Sequence, residues 1–286
     1  MAHPFRSTLS APLGTHNAVL RARSRVHVVK DFAGPLSIKS VVAGTVAWRS
    51  GGRDLVVDRD SFLVLRDGEP YSMNIDSQTP VATLCVFFRR GFAESAGASM
   101  AQAGIEVEGG RAPAIGHLHA RDERILPRMR AIAEAPDMGA LWLDEQYLLL
   151  AHDLLLLDRE LCRRIAQMPA RRPSTREELF RRVRRGQEYL HAHSMSDLSL
   201  AEIAGESCLS PYHFHRAFTR AFGKTPHDYR NALRLAHARR LLESTGLTVT
   251  EVCGAVGFQS LPSFSTLFRQ QFGMPPTGVR KLSNSR

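Results

Sequence analysis

Two stretches of the chain place phenylalanines at i, i+4 and i+8: Phe214, Phe218 and Phe222, then Phe264, Phe268 and Phe272. Side chains four apart share one helix face, so each trio predicts an amphipathic helix with a single apolar stripe. Start and stop signals flank both. Ser210 precedes Pro211, Ser260 precedes Leu261-Pro262, and Gly223 and Gly273 directly follow the last Phe of each stripe. A serine oxygen accepts an unpaired amide at a helix start, proline is tolerated in the first turn, and glycine takes the left-handed conformation that ends the helix. Upstream of each lies a shorter pattern, Leu200-Ala201-Glu202-Ile203-Ala204 and Val249-Thr250-Glu251-Val252-Cys253. Glu202, Ile203 and Ala204 recur at an offset of 49, whereas the Phe, Gly and Pro positions, Pro226 and Pro276 included, recur at 50. One residue inserted in the turn accounts for the difference. Two copies are too few to stack a solenoid core, and the pattern predicts paired helix-turn-helix motifs. Opposite the first Phe stripe, Tyr212, His215, Arg216 and Thr219 follow at i, i+3, i+4 and i+7, forming a second face free to touch a ligand.

The first half has a shorter period. Leu36 to Val42, Thr45 to Trp48, Leu55 to Val57, Phe62 to Leu65, Tyr71 to Ile75 and Ala82 to Phe88 are brief runs rich in β-branched and aromatic residues. Gly34-Pro35, Gly51-Gly52, Asp67-Gly68-Glu69-Pro70 and Gln78-Thr79-Pro80 separate them as turns between antiparallel strands would. Short strands at this spacing predict a barrel or jelly roll. Helical patterns follow at Asp122 to Ala133 and Leu141 to Ile165. The second carries ten leucines, among them Leu141, Leu148 and Leu155, and is apolar on more than one face, as suits a helix that covers the barrel and meets a second protomer. The expected organisation is therefore a barrel over 1–120, a helical packing and dimerisation segment over 121–166, a Pro-containing linker over 167–174 and a helical domain over 175–286. The fold class is α+β.

Charge changes the picture of the second half. Residues 171–286 hold 18 basic and 9 acidic side chains, so they carry +9 of the net +10. Such asymmetry is the footprint of a phosphate-binding face. Arg181, Arg182, Arg184 and Arg185 form the densest run, either a solvated helix face or a phosphate contact. No apolar run approaches the roughly 20 residues of a membrane span, and the first residues lack the apolar core of a secretory signal. Cys85, Cys162, Cys208 and Cys253 show no CxxC spacing, so the expectation is reduced, cytoplasmic thiols, with Cys208 and Cys253 packed inside the two motifs.

The run from Leu198 to Ala204, Ser210 to Gly223, Gly257-Phe258-Gln259-Ser260, and Phe264 to Pro276 resembles the DNA-binding domain of the AraC/XylS family of bacterial transcriptional regulators. The resemblance covers about Thr175 to Lys281 and implies an all-helical domain in which a long helix joins two motifs. His227 to Glu243 supplies that helix; at about 1.5 Å per residue it spans roughly 25 Å, and with the width of the two motifs added it suits recognition helices roughly 34 Å apart, one turn of DNA. The resemblance implies double-stranded DNA and RNA polymerase as partners, a cupin-like barrel that binds a small-molecule effector, and a homodimer. Matched to the family pattern, the second motif would read bases with Leu261, Pro262, Ser265 and Thr266 while Arg269 grips phosphate. In the first motif Tyr212, His215, Arg216 and Thr219 would read, with Arg216 suited to a bidentate contact with guanine. Trp48, Arg49 and Tyr71 are candidates to line the effector pocket.

Catalytic chemistry finds little footing. His117-Leu118-His119 followed by Glu123 mimics the HxH-x3-E spacing of metal cupins, but it runs into a helical pattern and lacks the later histidine half, so no metal or other cofactor is expected. Two enzymes with related DNA-binding helices are the alternatives, a DNA-repair alkyltransferase and a cupin dioxygenase. The first needs a zinc-holding cysteine cluster in a half that has only Cys85 and Cys162, and the second needs the doubtful His117/His119/Glu123 set. No HExxH, GxSxG or dinucleotide fingerprint is present, and no catalytic residue is assigned.

Overall fold

The computed structural model describes residues 12–102, 118–134 and 138–283 and divides into two compact units, Met1–Arg163 and Arg164–Arg286. The first unit is a seven-stranded antiparallel sheet of β1 (Ala18–Ala33), β2 (Ser37–Ala43), β3 (Val46–Ser50), β4 (Arg53–Val57), β5 (Ser61–Leu65), β6 (Pro70–Phe87) and β7 (Leu118–Ala120). Strand β6 organises it. Along one edge β6 pairs with β1; along the other its two halves pair with β3 and with β2, from which β5 and β7 continue. The sheet curls until β4 approaches β5 and β7, which nearly closes a barrel.

Alternation along the strands divides the core in two. Trp48, Leu55, Leu63, Leu65, Tyr71 and Ile75 point into the barrel. Ile38, Phe62, Val64, Leu84 and Val86 point to its outer face, where they meet α2 (Ile125–Glu134) and α3 (Ala140–Ala166); a further helix, α1 (Phe92–Gln102), follows β6. Helix α3 buries Tyr147, Leu150, Ala151 and Leu154 there but leaves Leu141 86% and Leu148 45% exposed.

Four features depart from the expected strand series. Leu118–Ala120, expected to run into a helical pattern outside the strands, forms β7 and pairs with β5, where Phe62 faces His119. Tyr71 to Ile75 and Ala82 to Phe87 belong to one strand, which ends before Phe88: the Gln78-Thr79-Pro80 segment, expected as a turn, runs through a register shift in which Val81 faces Ser24 and Asp76 faces Val26. Proline's missing N–H is harmless at such a bulge. Strand β1 is hidden in the sequence because it carries Arg21, Arg23, Arg25, His27 and Lys30, the charged dressing of a sheet edge. Helix α1 is hidden as well, being small-residue rich with little apolar contrast between its faces.

The second unit is helical: α4 (Pro173–Ala192), α5 (Leu200–Glu206), α6 (Pro211–Phe222), α7 (Pro226–Ser244), α8 (Val249–Ala255), α9 (Leu261–Phe272) and α10 (Pro276–Ser283). Helix α4 starts at Pro173, inside the expected linker, with proline in its first turn. The expected Arg cluster splits on this helix. Arg184 is buried against Phe180, Arg181 and Arg182 pair with Glu178, and Arg185 is exposed, so four consecutive-looking charges do not share one solvated face.

Candidate nucleic-acid interface

Local chemistry builds the two motifs almost identically. Ser199 starts α5 and Thr248 starts α8, each in a reciprocal capping box with Glu202 or Glu251. Ser210 caps α6 by accepting the His213 amide, and Ser260 caps α9 by accepting that of Ser263. Gly223 and Gly273 end these helices at φ 68° and 74°. The turns match bond for bond: the Leu209 amide donates to Ala204 and the Phe258 amide to Cys253, both at 3.0 Å. Gln259, between Phe258 and Ser260, is the inserted residue that moves the offset from 49 to 50.

The Phe stripes form the glue. Phe214 and Phe218 are fully buried with ring centroids 5.4 Å apart, and Phe264 and Phe268 repeat this at 5.6 Å. The opposite face of α6 presents Tyr212, 65% exposed, with His215 and Arg216 exposed beside it. Arg216 Nη1 donates to Tyr212 Oη at 3.2 Å and its guanidinium lies over the Tyr212 ring, which pre-orients both groups. Thr219 is half-buried and its hydroxyl donates to the His215 carbonyl at 2.8 Å, which uses its one proton within the helix and leaves the oxygen able to accept. On α9, Leu261, Pro262, Thr266 and Arg269 are exposed and Ser265 is half-buried.

Arg234, on the connecting helix α7, ties the two motifs together. Its guanidinium is buried and donates to three backbone carbonyls: Ser194 at 2.7 Å, Ser196 at 2.9 Å and Gly257 at 2.9 Å. Two of these lie at the entrance to the first motif, and the third is in the turn of the second. Burial lowers its pKa, yet an arginine keeps its charge. In the sequence this residue does not stand out. Its signal was a charge at position 234 beside the apolar Leu233 and Leu235, on a helix otherwise read for its buried positions.

Two thiols separate. Cys253 is buried as expected, whereas Cys208 is exposed and sits in the turn at φ 50°. The residue at its place in the second motif is Gly257, so position 208 belongs to the turn and not to the packed helix.

The proposed effector-pocket trio does not converge. Adjacent strand residues face opposite ways. Trp48 and Tyr71 are buried inside the barrel, while Arg49 points outward and pairs with Asp54 at 2.8 Å. Inside, Tyr71 Oη accepts a hydrogen bond from Lys39 Nζ at 3.1 Å, and that ammonium lies 3.6 Å from the Phe87 ring centroid. Burial lowers the Lys39 pKa to about 8. Lys39 has the same strand parity as inward-facing Val41, a clue the sequence contained. His117 lies outside the described residues. Among the described residues no group of metal-ligating side chains comes together; His119 stacks on Phe62, and Glu123 pairs with Arg121. No helix among the described residues is long and apolar enough to cross a membrane.

Residues 203–282 match the family described as "Helix-turn-helix domain". The chain is 36% identical over 88 residues to the uncharacterized HTH-type transcriptional regulator YobQ of Bacillus subtilis, covering 31% of this chain and 36% of that protein. It is 38% identical over 93 residues to the HTH-type transcriptional activator RhaS of Escherichia fergusonii, covering 32% and 34%. Among solved structures, a transcriptional regulator with an AraC-type DNA-binding domain from Chromobacterium violaceum is 29% identical, covering 36% of this chain and 92% of that one, with a TM-score of 0.34. The chain thus spans about a third of the length of the curated relatives it matches.

Proposed function

We propose that this chain, which belongs to the AraC/XylS family through its C-terminal domain, is a cytoplasmic regulator of transcription that binds specific double-stranded DNA. The observation that carries the reading is the pair of capped helices α6 and α9, each with one face buried by phenylalanine and the other exposed, in the half that holds nearly all the excess positive charge. Tyr212, His215 and Arg216 supply the first reading surface and Leu261, Pro262, Ser265 and Thr266 the second, with Arg269 on phosphate. Thr219 contributes its methyl group and its hydroxyl as an acceptor, the hydroxyl proton being held by the His215 carbonyl. In this reading the β-rich half senses a small effector, RNA polymerase is the downstream partner, and the chain pairs with a second copy through the exposed leucines of α3. Linking two DNA-binding domains in this way raises the effective concentration of the second at a paired site.

The test is selection of bound sequences from randomised DNA with the full chain, followed by anisotropy titrations of the selected site across a salt series. A single preferred motif is expected, with affinity falling about 10³-fold between 50 and 200 mM salt if some six phosphates are contacted. A flat salt response with no enriched motif overturns the reading. Sedimentation of the same sample at micromolar concentration reports the dimer.

A further inference from the structure

We infer that a cleft on the outer face of the barrel, between the β1–β6 ribbon and α2, binds a compact dianion such as a dicarboxylate or a phosphate monoester. The cleft has a volume of about 380 Å³ and is lined by Arg21 and Arg23 from β1 and by Arg130 and Glu134 from α2, over a floor that includes Ala82 and Leu84.

Strand geometry puts the charges together. Arg21 and Arg23 flank Ala22, so both lie on one face of β1, and their cross-strand partners on β6 are Leu84 and Ala82. Leu84 packs in the core shared with α2, so this is the helix-facing side of the sheet. Arg21 is held in place by donating Nη1 to the Ala133 carbonyl at 3.0 Å in the last turn of α2, which leaves its other N–H groups to the cleft. Among the described residues Arg23 and Arg130 make no hydrogen bond or ion pair, and Glu134, one turn from Arg130, does not neutralise it by contact.

Three guanidiniums and one carboxylate leave the cleft at +2. A small anion of charge −2 complements that balance, and the guanidinium fork matches the paired oxygens of both carboxylate and phosphate. The apolar floor suits a compact carbon skeleton behind those oxygens. Binding at the cleft stands on this geometry alone; only its use as the effector site of a regulator rests on the function proposed above.

Calorimetric titration of the full chain with succinate and, separately, with inorganic phosphate at low ionic strength tests the assignment. Saturable binding of at least one anion is expected, weakened at least tenfold in Arg23→Gln and in Arg130→Gln and retained in Arg216→Gln, with thermal unfolding unchanged in all three. Binding of succinate alone identifies a dicarboxylate, and of phosphate alone a phosphate ester. No saturable binding, or binding lost with Arg216→Gln but not with the cleft variants, overturns the proposal. DNA binding measured on the same sample without anion keeps the two readings apart: a chain that binds DNA but neither anion refutes the cleft and leaves the regulator intact.

Discussion

The first helix-turn-helix motif packs its turn against a helix that must come very close, and the second hangs its turn on a single buried guanidinium. At Gly186 of α4, an added Cβ would meet the Phe214 ring and Ser207 Oγ at 2.4 Å, so only glycine lets α4 approach α5 and α6. The residue 49 positions on, Leu235 of α7, is a buried leucine packed with Phe264. In the turns the relation reverses. Cys208 holds φ 50° with its side chain in the open, whereas at Gly257, φ 80°, a Cβ would press within 2.9 Å of the Arg234 guanidinium. A repeat of local sequence thus gives the same helices twice but seats them by different means, because each motif has a different helix behind it.

The largest effect is expected at Arg234, the residue the two motifs share. Arg234→Met removes charged donors from three carbonyls and should cost about 3 kcal/mol or more, since hydrogen bonds to charged groups contribute about 1.5–3 kcal/mol each and relaxation recovers part of the sum. Denaturant unfolding measures this. A loss under about 1 kcal/mol would show that the second turn does not depend on the guanidinium. Lysine at 234 should not restore the parent, since one ammonium cannot span three carbonyls in the guanidinium plane.

Gly186→Ala tests the other half of the contrast. Overpacking at a contact this short should cost about 2 kcal/mol, and native-state hydrogen exchange should show the loss in the amides of α5 and α6 before those of α8 and α9. Equal loss of protection in both motifs would mean that they unfold as one body and that the comparison holds only for packing.

On DNA, the motifs are expected to divide reading from holding. Arg216→Ala should weaken the selected site by about 1–3 kcal/mol and relax preference at one base pair, while Arg269→Ala should weaken all sequences alike. The counterpart of Arg216 is Thr266, which has no bidentate donor. Selection on randomised DNA with each variant decides the matter. An unchanged motif for Arg216→Ala, with an altered one for Leu261 or Thr266 variants, inverts the assignment.

The smallest effect concerns the two turns. Cys208→Gly should stabilise the chain by up to about 1 kcal/mol by relieving a left-handed backbone at a residue with a Cβ. Gly257→Cys should do the opposite, for both strain and contact with Arg234. Thermal unfolding of the pair measures the sign, and a destabilised Cys208→Gly would show that the thiol contributes more than its backbone costs.

Much of this is legible in the sequence. Caps, stripes and stops within α5, α6, α8 and α9 depend on neighbours at most four residues away, and local periodicity encodes those directly. Strand positions β2 to β5 were readable for the same reason. The outward aim of Arg49 was also in the sequence, since Trp48 faces inward and strand parity places its neighbour on the other side.

Tertiary structure decided what depends on distant partners. Pro80 stays within β6 because β1 slips register opposite it, and Arg184 is buried because Phe180 and the surrounding helices enclose a side chain that composition assigns to solvent. Arg234 reads as one more charge on a basic helix until Ser194, 40 residues before it, and Gly257, 23 after it, turn their carbonyls toward it. The cleft charges arise in the same way, since Arg21 and Arg23 meet Arg130 only when β1 pairs with β6 and α2 lies across them. Periodicity along the chain specifies which face of an element is apolar, but carries no information about which element will cover it. That choice comes from packing many faces at once, and it placed the charges no helix or strand pattern could assign.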